Sequence, residues 1–492
     1  MSIKKKVALN TIIQIIGKII STFIGLFSLA LITRYLGLAG FGKYTTIITF
    51  LTFFAVAADL GLTLVTAQMI SAEDSNENKI LNNLFSFRLV SSLIMLGFAP
   101  LIVIFFPYSL EIKLGVLAAL IAFVFPALNQ VLIGLFQKKL RMDLDVIAEN
   151  LSRIALIIGI ILTRQFALGL MGILMATVLS AAVNFIFHYI FSFKFSAIKL
   201  EFDFLIWKQI ISKSWPLAIT IVLNLIYLRT DTLFLSIFRS IDEVGLYGAT
   251  YRIIDVLTTI PFMFAGLILP ILTRAKIGGE TEYFKKVLQK SFDFMLILAI
   301  PLVLGAQFLG RPIMIYTAGN EFAESGKILQ LLIIAVAFIF LGTMFSHAVI
   351  ALDKQKKMIG FYIFTSLSAL AGYLLLIPKF SFYAAAGVTI YSEALIAACS
   401  VYCVYRYSYF LPNFKIALRS LISALAMGTF LYFFTPLYQN TLAGLVFLLL
   451  AGCLIYFLIL FLMGGIKAAS IKEFFSKNGA ESEKPINSKK YE

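Results

Sequence analysis

LNTIIQIIGKIISTFIGLFSLALITRYLGLAGFGKY, residues 9–44, is the stretch of sequence that decides the fold. Between Leu9 and Ile32 it contains a single charged residue, Lys18. A run of this length crosses the hydrocarbon core as a helix, because about 20 residues at about 1.5 Å each span the bilayer. The run lacks the alternation of barrel strands, and after Arg34 and a glycine-rich turn a second apolar run begins. The stretch therefore predicts a transmembrane helical hairpin.

The whole chain is too apolar for a soluble protein. Of its 492 residues, 61% are hydrophobic and 13% are charged, and the mean hydropathy is +0.96. A soluble domain has about 45–50% apolar and about 25% charged residues. Fourteen apolar runs, each long enough for a helix that spans the bilayer, lie between residues 7 and 464. The sequence predicts an all-α integral membrane protein with about 14 transmembrane helices.

The distribution of basic residues predicts the orientation. The formal net charge is +16, and the positive residues lie mostly in short segments between the apolar runs. With the N-terminus in the cytoplasm, 29 of the 41 basic residues fall inside, 8 fall outside and 4 lie within spans. Cytoplasmic loops carry the excess of Lys and Arg in membrane proteins. The tally places both termini in the cytoplasm.

Two short segments indicate an internal repeat. GFGKYTT (residues 40–46) follows the first span and VGLYGAT (residues 244–250) follows the seventh, and both place Gly-x-Tyr at the mouth of the next helix. Because each repeat has six spans, the two halves share one orientation, as in a parallel repeat about the membrane normal.

The repeat and the loop lengths predict a division of the chain into five parts. The predicted parts are an N-terminal lobe of six spans (1–194), an amphipathic linker on the inner leaflet (195–214), a C-terminal lobe of six spans (215–405), a terminal pair of spans (406–465) and a cytoplasmic tail (466–492).

Ionisable residues within the spans are the candidate functional residues. Each costs at least a few kcal/mol in the bilayer and faces a cavity or a partner. The set comprises Lys18, Asp59, Arg153, Arg229, Asp231, Arg252, Asp255, Asp293 and Glu393, with Glu149 at an edge. We interpret Glu149 and Arg153, which are four residues apart, as a structural pair. Asp59, Asp293 and Glu393 either carry protons or cations or satisfy helix ends.

Two arginines are the strongest candidates for binding a ligand. The helix rise places Arg229 and Arg252 at similar depth on consecutive spans. Arg229 and Asp231 are two residues apart and point in different directions, so Arg229 is the best candidate for a cation that faces a ligand. Arg252 and Asp255 are three residues apart, and either neutralise each other or serve a ligand. Lys18, near the midplane of the first span, either lines a cavity or snorkels.

Known catalytic motifs are missing from the sequence. It has no Walker A loop, no dinucleotide fingerprint, no HExxH and no Gly-x-Ser-x-Gly. The loops are too short for a soluble catalytic domain. Many spans, an internal repeat and scattered buried charges favour a transporter with alternating access, so we expect no enzyme activity and no bound cofactor or metal.

The hairpin residues also carry a family resemblance. RYLGxxxFGxY (residues 34–44) and the following DLG (residues 59–61) resemble the Wzx-type polysaccharide flippases of the multidrug/oligosaccharidyl-lipid/polysaccharide exporter superfamily. This resemblance implies a V-shaped pair of lobes around a cationic cavity. It also implies transport of an undecaprenyl-diphosphate-linked oligosaccharide across the bacterial cytoplasmic membrane for O-antigen, capsule or exopolysaccharide synthesis, alongside a polymerase and chain-length proteins.

The resemblance assigns roles to the buried charges. The substrate-binding candidates are Arg229, Arg252, Lys18 and the motif residue Arg34, because arginine offers paired donors to phosphate oxygens. The candidates for coupling to H⁺ or Na⁺ are Asp59, Asp231, Asp255 and Glu393.

Three other functions stay open at this stage. A lipid II flippase of the same superfamily has the same number of spans and a cationic cavity. A cation-coupled exporter of drugs or metabolites would be favoured by twelve spans and an acidic site in the first lobe, whereas the two extra spans and the buried arginines here favour an anionic, lipid-linked substrate. A glycan polymerase or ligase needs a large outside loop, and every outside loop here is short.

Overall fold

The computed structural model describes residues 3–59, 61–71, 77–438 and 440–465, and the predicted cytoplasmic tail lies outside them. The described residues form α-helices joined by short turns. The helices are α1 (Ile3–Asp59), α2 (Leu62–Ser71), α3 (Glu77–Val103), α4 (Leu110–Ala119), α5 (Ile121–Lys138), α6 (Met142–Gln165), α7 (Gly169–Ser192), α8 (Phe204–Phe238), α9 (Ile241–Ile277), α10 (Thr281–Ala318), α11 (Ser325–Ala351), α12 (Gln355–Ser408), α13 (Lys415–Tyr438) and α14 (Leu442–Leu462).

The number of crossings agrees with the sequence. Among the described residues, eleven helices are long and apolar enough to cross a membrane, and a bent pair within α8 makes twelve. Helices α1 and α12, of 57 and 54 residues, are each interrupted by one residue with non-helical angles, Gly37 and Ser381. Each interruption yields two segments of spanning length. The described chain thus holds about fourteen crossings, as predicted.

The first hairpin turns more tightly than the sequence indicated. The apolar runs left residues 34–42 as a loop, whereas both sides of Gly37 are helical. Gly37 has φ 66°, a conformation that glycine adopts without a clash of Cβ. We call residues 38–59 the second half of α1.

The helices pack as two lobes that meet along α1. Helices α1 and α3–α7 form the N-terminal lobe (N-lobe), and α8–α12 form the C-terminal lobe (C-lobe). α1 contacts α8, α9 and α10 across the interface. The terminal pair, α13 and α14, packs on α10 through a separate apolar cluster that includes Leu309, Leu448 and Tyr456. The hydroxyl of Tyr456 donates to the carbonyl of Ile297 on α10 at 2.7 Å.

The segment between the lobes differs from the predicted amphipathic helix over 195–214, because its helix begins only at Phe204. Before that point, alternate backbone amides from Lys199 to Asp203 donate to asparagine and serine side chains of α3, so they are not available for helical bonds. The carboxyl of Asp203 then caps α8. The ammonium of Lys79 on α3, hydrogen-bonded to Asp203, lowers the pKa of that carboxyl. The segment is thus fastened to the N-lobe.

Candidate functional site

The two repeated motifs pack against each other at the end of the molecule that the charge tally assigns to the outside. A Cβ on Gly42 would lie 2.0 Å from the carbonyl oxygen of Ile241, and a Cβ on Gly245 would lie 2.5 Å from that of Leu38. The contact is reciprocal, because each glycine meets the residue that lies four positions before the other. Only glycine permits backbones to approach this closely. We call this contact the outer closure.

Polar contacts strengthen the outer closure. Arg34 donates to the carbonyl of Tyr316 on α10 at 2.8 Å, and the amide of Leu38 donates to Glu321 at 3.0 Å. Arg34 is exposed, and it also donates to the carbonyl of Ala30 on its own helix at 3.2 Å. It therefore lies at the closure, apart from the other three substrate-binding candidates.

A cavity of about 250 Å³ lies between the lobes, next to the outer closure. It is lined by the first half of α1, by α6 and by α9, and Phe41 and Tyr44 line it on the second half of α1. Pockets for drug-sized ligands occupy about 300–1,000 Å³. In this conformation the space, here called the central cavity, fits a compact headgroup. Its basic lining residues are Lys18, Arg153 and Arg252.

The N-lobe contributes one cluster of charges to the central cavity. Lys18 lies 3.2 Å from a carboxylate oxygen of Glu149, and Arg153 lies 3.8 Å from the same oxygen. Ser21 donates to that oxygen at 2.7 Å and accepts from Arg153. The predicted pair of Glu149 and Arg153 is present, but Lys18 shares the carboxylate. With all three groups ionised, this N-lobe triad carries a net charge of +1.

The C-lobe contributes a second cluster of charges. In it, the carboxylate of Asp255 pairs with a residue that its spacing in the sequence did not indicate. Asp255 accepts a hydrogen bond from Arg229 on α8 at 2.6 Å, whereas the sequence analysis considered only Arg252, three residues away, as its partner. The guanidinium of Arg229 also lies 5.3 Å from the centre of the Tyr251 ring, within range of a cation–π contact. Among the described residues Arg252 has no ion-pair partner, and it lines the central cavity.

The charges of the two clusters make the surroundings of the central cavity net positive. Arg229, Asp255 and Arg252 form a C-lobe triad with a net charge of +1, so both triads together supply +2 when all groups are ionised. Guanidinium groups bind phosphate oxygens with paired hydrogen bonds. The arrangement is complementary to a small group with two negative charges, such as a diphosphate diester, held between the lobes.

Two buried acids of the C-lobe have contrasting surroundings. Asp231 accepts hydrogen bonds from the hydroxyls of Tyr247 at 2.8 Å, of Tyr251 and of Thr389, and from a backbone amide. Its oxygens are thus well supplied with donors. Glu393 is 6% exposed, and among the described residues its Oε1 has no hydrogen-bond partner.

The sequence analysis missed one buried arginine. The charge tally assigned Arg88 to a cytoplasmic segment, but it is 2% exposed on α3 and pairs with Asp59. Arg88 also donates to Thr63 at 2.8 Å, on the other side of Gly61, which has φ 75°. Its position inside the apolar run from residue 84 was the signal that could have found it. Asp59, a coupling candidate, is therefore paired with a cation.

Loss of this buried pair is expected to destabilise the N-lobe. Removing one partner of a buried ion pair costs about 3–5 kcal/mol, because a desolvated charge stays behind. Arg88→Ala should lower the midpoint of thermal unfolding in detergent by several degrees. The double variant Arg88→Met/Asp59→Asn leaves no lone charge and should recover much of that loss. Equal midpoints for Arg88→Ala and the parent protein would contradict this role for Arg88.

Comparisons with known proteins agree with this architecture. The family described as "Polysaccharide biosynthesis protein" matches residues 7–276, more than half of the chain. A Shigella flexneri protein whose name proposes O-antigen transport is 24% identical over 363 residues, which is 70% of this chain and 85% of that protein.

Solved structures resemble the fold over most of its length. The lipid II flippase MurJ in an inward closed conformation has a TM-score of 0.72 at 17% identity, with coverage of 95% of this chain and 99% of that one. An inward-facing multidrug-resistance MATE transporter of the MOP superfamily has a TM-score of 0.63 at 14% identity, covering 80% of this chain and 94% of its own. The predicted two-lobed transporter fold is thereby confirmed.

Proposed function

Because the chain belongs to the polysaccharide biosynthesis protein family, we propose that it is a flippase for an undecaprenyl-diphosphate-linked oligosaccharide, in the assembly of a surface polysaccharide such as O-antigen, capsule or exopolysaccharide. The observation that carries the proposal is the central cavity, where two triads supply the charge that a diphosphate needs. Lys18, Arg153 and Arg252 bind the diphosphate, with Arg229 close behind. The apolar tail stays in the bilayer and the sugars cross between the lobes.

Transport proceeds by alternating access. The outer closure holds the lobes together at the outer end of the central cavity. When the lobes separate at this contact, the bound headgroup is exposed to the outside. Arg34 acts in this closure through its bond to α10. The headgroup changes sides without covalent chemistry, so the protein is a transporter and not an enzyme.

The protein acts in the bacterial cytoplasmic membrane with both termini in the cytoplasm. The basic-residue tally supports this orientation. It places the outer closure on the side where the polysaccharide is polymerised, and we expect contact there with a polymerase and chain-length proteins. A reporter that fluoresces only in the cytoplasm, fused after residue 492, should be bright. A dark fusion would reverse the orientation.

Coupling to a gradient of H⁺ or Na⁺ drives the cycle, with no bound cofactor. The four acidic candidates, Asp59, Asp231, Asp255 and Glu393, differ in the partners of their carboxyl groups. Asp59 is paired with Arg88 and Asp255 with Arg229, and Asp231 is surrounded by hydroxyl donors. Glu393 is the one of these four whose carboxyl has an unpartnered buried oxygen among the described residues.

A transport assay tests the function directly. The purified protein in liposomes should move undecaprenyl-diphosphate-linked N-acetylglucosamine to the outer leaflet, where an added lectin detects the sugar. We expect its rate to exceed that of lipid II by at least about tenfold, a difference of about 1.4 kcal/mol. Faster movement of lipid II would favour a lipid II flippase. Movement of ethidium alone would favour a drug exporter, and sugar polymer in the liposomes would indicate a polymerase.

A further inference from the structure

The C-lobe contains a second cavity, of about 380 Å³, enclosed by α8, α9, α11 and α12. We call it the C-lobe cavity. It extends from Tyr251 and Thr389 to His347 and Ile350, and these last two lie near the end of α11 that the charge tally assigns to the cytoplasm. At about 30 Å³ of liquid volume per water, it has room for several waters between polar side chains.

Glu393 is the acidic group that has no partner inside this cavity. Its side chain lines the cavity, it is more than nine-tenths buried, and among the described residues its Oε1 accepts no hydrogen bond. A carboxylate buried without a cation or donors is strongly disfavoured, so the group takes up a proton instead. Asp231 accepts a hydrogen bond from Thr389 of the cavity wall at 3.3 Å, and its other donors include the hydroxyls of Tyr247 and Tyr251. Of the two acids, Glu393 is suited to gain and lose a proton.

The other ionisable side chains around Glu393 come from every helix that encloses it. None of them forms an ion pair with it among the described residues. They are Tyr227 and Arg229 on α8, Tyr251 and Asp255 on α9, His347 on α11, and Tyr362 and Tyr373 on the first half of α12.

The Arg229–Asp255 ion pair lies between the two cavities. Both residues line the C-lobe cavity, and both also line a small pocket at the lobe interface that includes Thr45 and Arg252. Asp255 in addition lines the central cavity. The pair therefore lies on a direct line between the central cavity and the C-lobe cavity that Glu393 lines. In this conformation the guanidinium of Arg229 occupies one oxygen of the Asp255 carboxylate at 2.6 Å.

We propose that the C-lobe cavity is a proton route that ends at Glu393, and that the Arg229–Asp255 pair opens this route only when the substrate diphosphate binds Arg229. The proposal rests on the proposed function. The phosphate replaces Asp255 as the partner of Arg229, and the freed Asp255 carboxylate takes a proton from the outer side once the closure separates. When the substrate leaves, Arg229 pairs with Asp255 again. Glu393 releases its proton through the C-lobe cavity to the cytoplasm, and the resulting Glu393 carboxylate takes the proton from Asp255.

The step is balanced and couples the two movements. One proton leaves the Glu393 carboxyl for water on the cytoplasmic side, one proton leaves the Asp255 carboxyl and binds the Glu393 carboxylate, and no other covalent bond changes. One proton enters for each substrate that leaves. Because a substrate-free protein keeps Asp255 paired, protons do not leak through it in the absence of substrate.

Proton influx into liposomes tests the proposal. The protein is reconstituted around a trapped pH dye, a proton gradient is imposed, and undecaprenyl-diphosphate-linked N-acetylglucosamine serves as the probe. Influx should be low without the probe and should rise with it. Arg229→Ala breaks the pair and should raise the influx without probe by at least about tenfold, because a hydrogen bond between charged groups contributes about that factor or more. Lys357→Ala, which removes an exposed positive charge near the start of α12, should leave it low.

Variants of Glu393 test the end of the route. Glu393→Gln should abolish the probe-stimulated influx and should also suppress the leak when combined with Arg229→Ala. Glu393→Asp keeps a carboxyl group on a side chain that is one methylene shorter, so it should slow the influx without abolishing it. This variant tests the route if Glu393→Gln does not fold. Stimulated influx that persists in Glu393→Gln would overturn the route. Its loss in Asp231→Asn, with Glu393→Gln unaffected, would assign the proton to Asp231.

The leak measurement separates this proposal from the proposed function. It needs no substrate, so the comparison of Arg229→Ala with Arg229→Ala/Glu393→Gln decides the proton route even if the parent protein moves none of the lipid probes. Failure to move any probe would count against the flippase function. If folded Arg229→Ala shows no leak, the proposed control of the proton route by the Arg229–Asp255 pair is wrong, whereas the proposed flippase function is unaffected.

Discussion

Arg252→Ala is expected to abolish glycan export while the amount of protein in the membrane stays normal. Among the described residues Arg252 has no ion-pair partner, and it lines the central cavity. Each hydrogen bond between its guanidinium and a phosphate is worth about 1.5–3 kcal/mol, which corresponds to a loss of roughly 10- to 150-fold in substrate binding. Complementation of a strain that lacks the gene, scored by surface polysaccharide, measures the effect.

Conservative and matched variants separate charge from folding. Arg252→Lys keeps the charge but loses the paired donors, so it should recover part of the export. Lys357→Ala removes one positive charge at an exposed position and should export normally. Full export by Arg252→Ala would remove this residue from the binding site.

Substitution of Arg229 should affect protein stability as well as export, because Arg229 has an acidic partner, Asp255. Arg229→Ala is also expected to abolish export, with partial recovery in Arg229→Lys. In addition, it leaves the Asp255 carboxylate without its partner at 2.6 Å. Asp255→Asn combined with Arg229→Ala removes that lone charge, so it should restore protein stability but not export. Restored export in the double variant would mean that Arg229 serves only to neutralise Asp255.

Gly42→Leu is expected to reduce glycan export as strongly as Arg252→Ala does, but by destabilising the outer closure. The added Cβ would lie 2.0 Å from the carbonyl oxygen of Ile241, and a backbone oxygen cannot turn aside as a flexible side chain can. Overpacking of this kind costs about 1–3 kcal/mol or more. Because the clash exists only while the outer closure is formed, the cost shifts the population towards the open state and export should fail.

Thiol labelling from outside measures the shift. Thr45→Cys, introduced after Cys399, Cys403 and Cys453 are replaced by alanine, is buried at the closure against Gly248. It should react with a membrane-impermeant maleimide faster in the Gly42→Leu background. Gly97→Leu is the matched control, because a Cβ at Gly97 meets no atom within 4 Å, and its labelling and export should equal those of the parent. Equal labelling in both backgrounds would show that the contact is not the gate.

The sequence predicted the fold well because its signals are local and repetitive. A helix that spans the bilayer must be apolar over about 20 residues, so each crossing is visible in its own segment. Breaks within long helices were harder to place. Gly37 ends a helix and begins another within one residue, where the sequence indicated a loop of nine residues, 34–42. The positive φ of Gly37, rather than polarity, sets that boundary.

The candidate site was predicted only in part. Lys18, Arg229, Arg252 and Asp255 were identified as buried charges, and the structure brings all four close to the central cavity. Their partners were not predictable from spacing. Asp255 pairs with Arg229 on another helix, and the carboxylate of Glu149 is shared with Lys18, 131 residues away in sequence. Arg88 was counted with the cytoplasmic segments, although it lies within the apolar run that begins at residue 84.

The sequence by itself therefore determined the number of crossings and most of the charges within the spans, and it predicted their orientation and the repeat. Each of these depends on the polarity of a single segment or on the comparison of two segments. Only the tertiary structure decided which charges neutralise one another, that the repeated glycines face each other across the lobes, and that the Arg229–Asp255 pair separates two cavities. Those features depend on the rotation and depth of one helix against another, and these are fixed by packing across the whole bundle rather than by any one span.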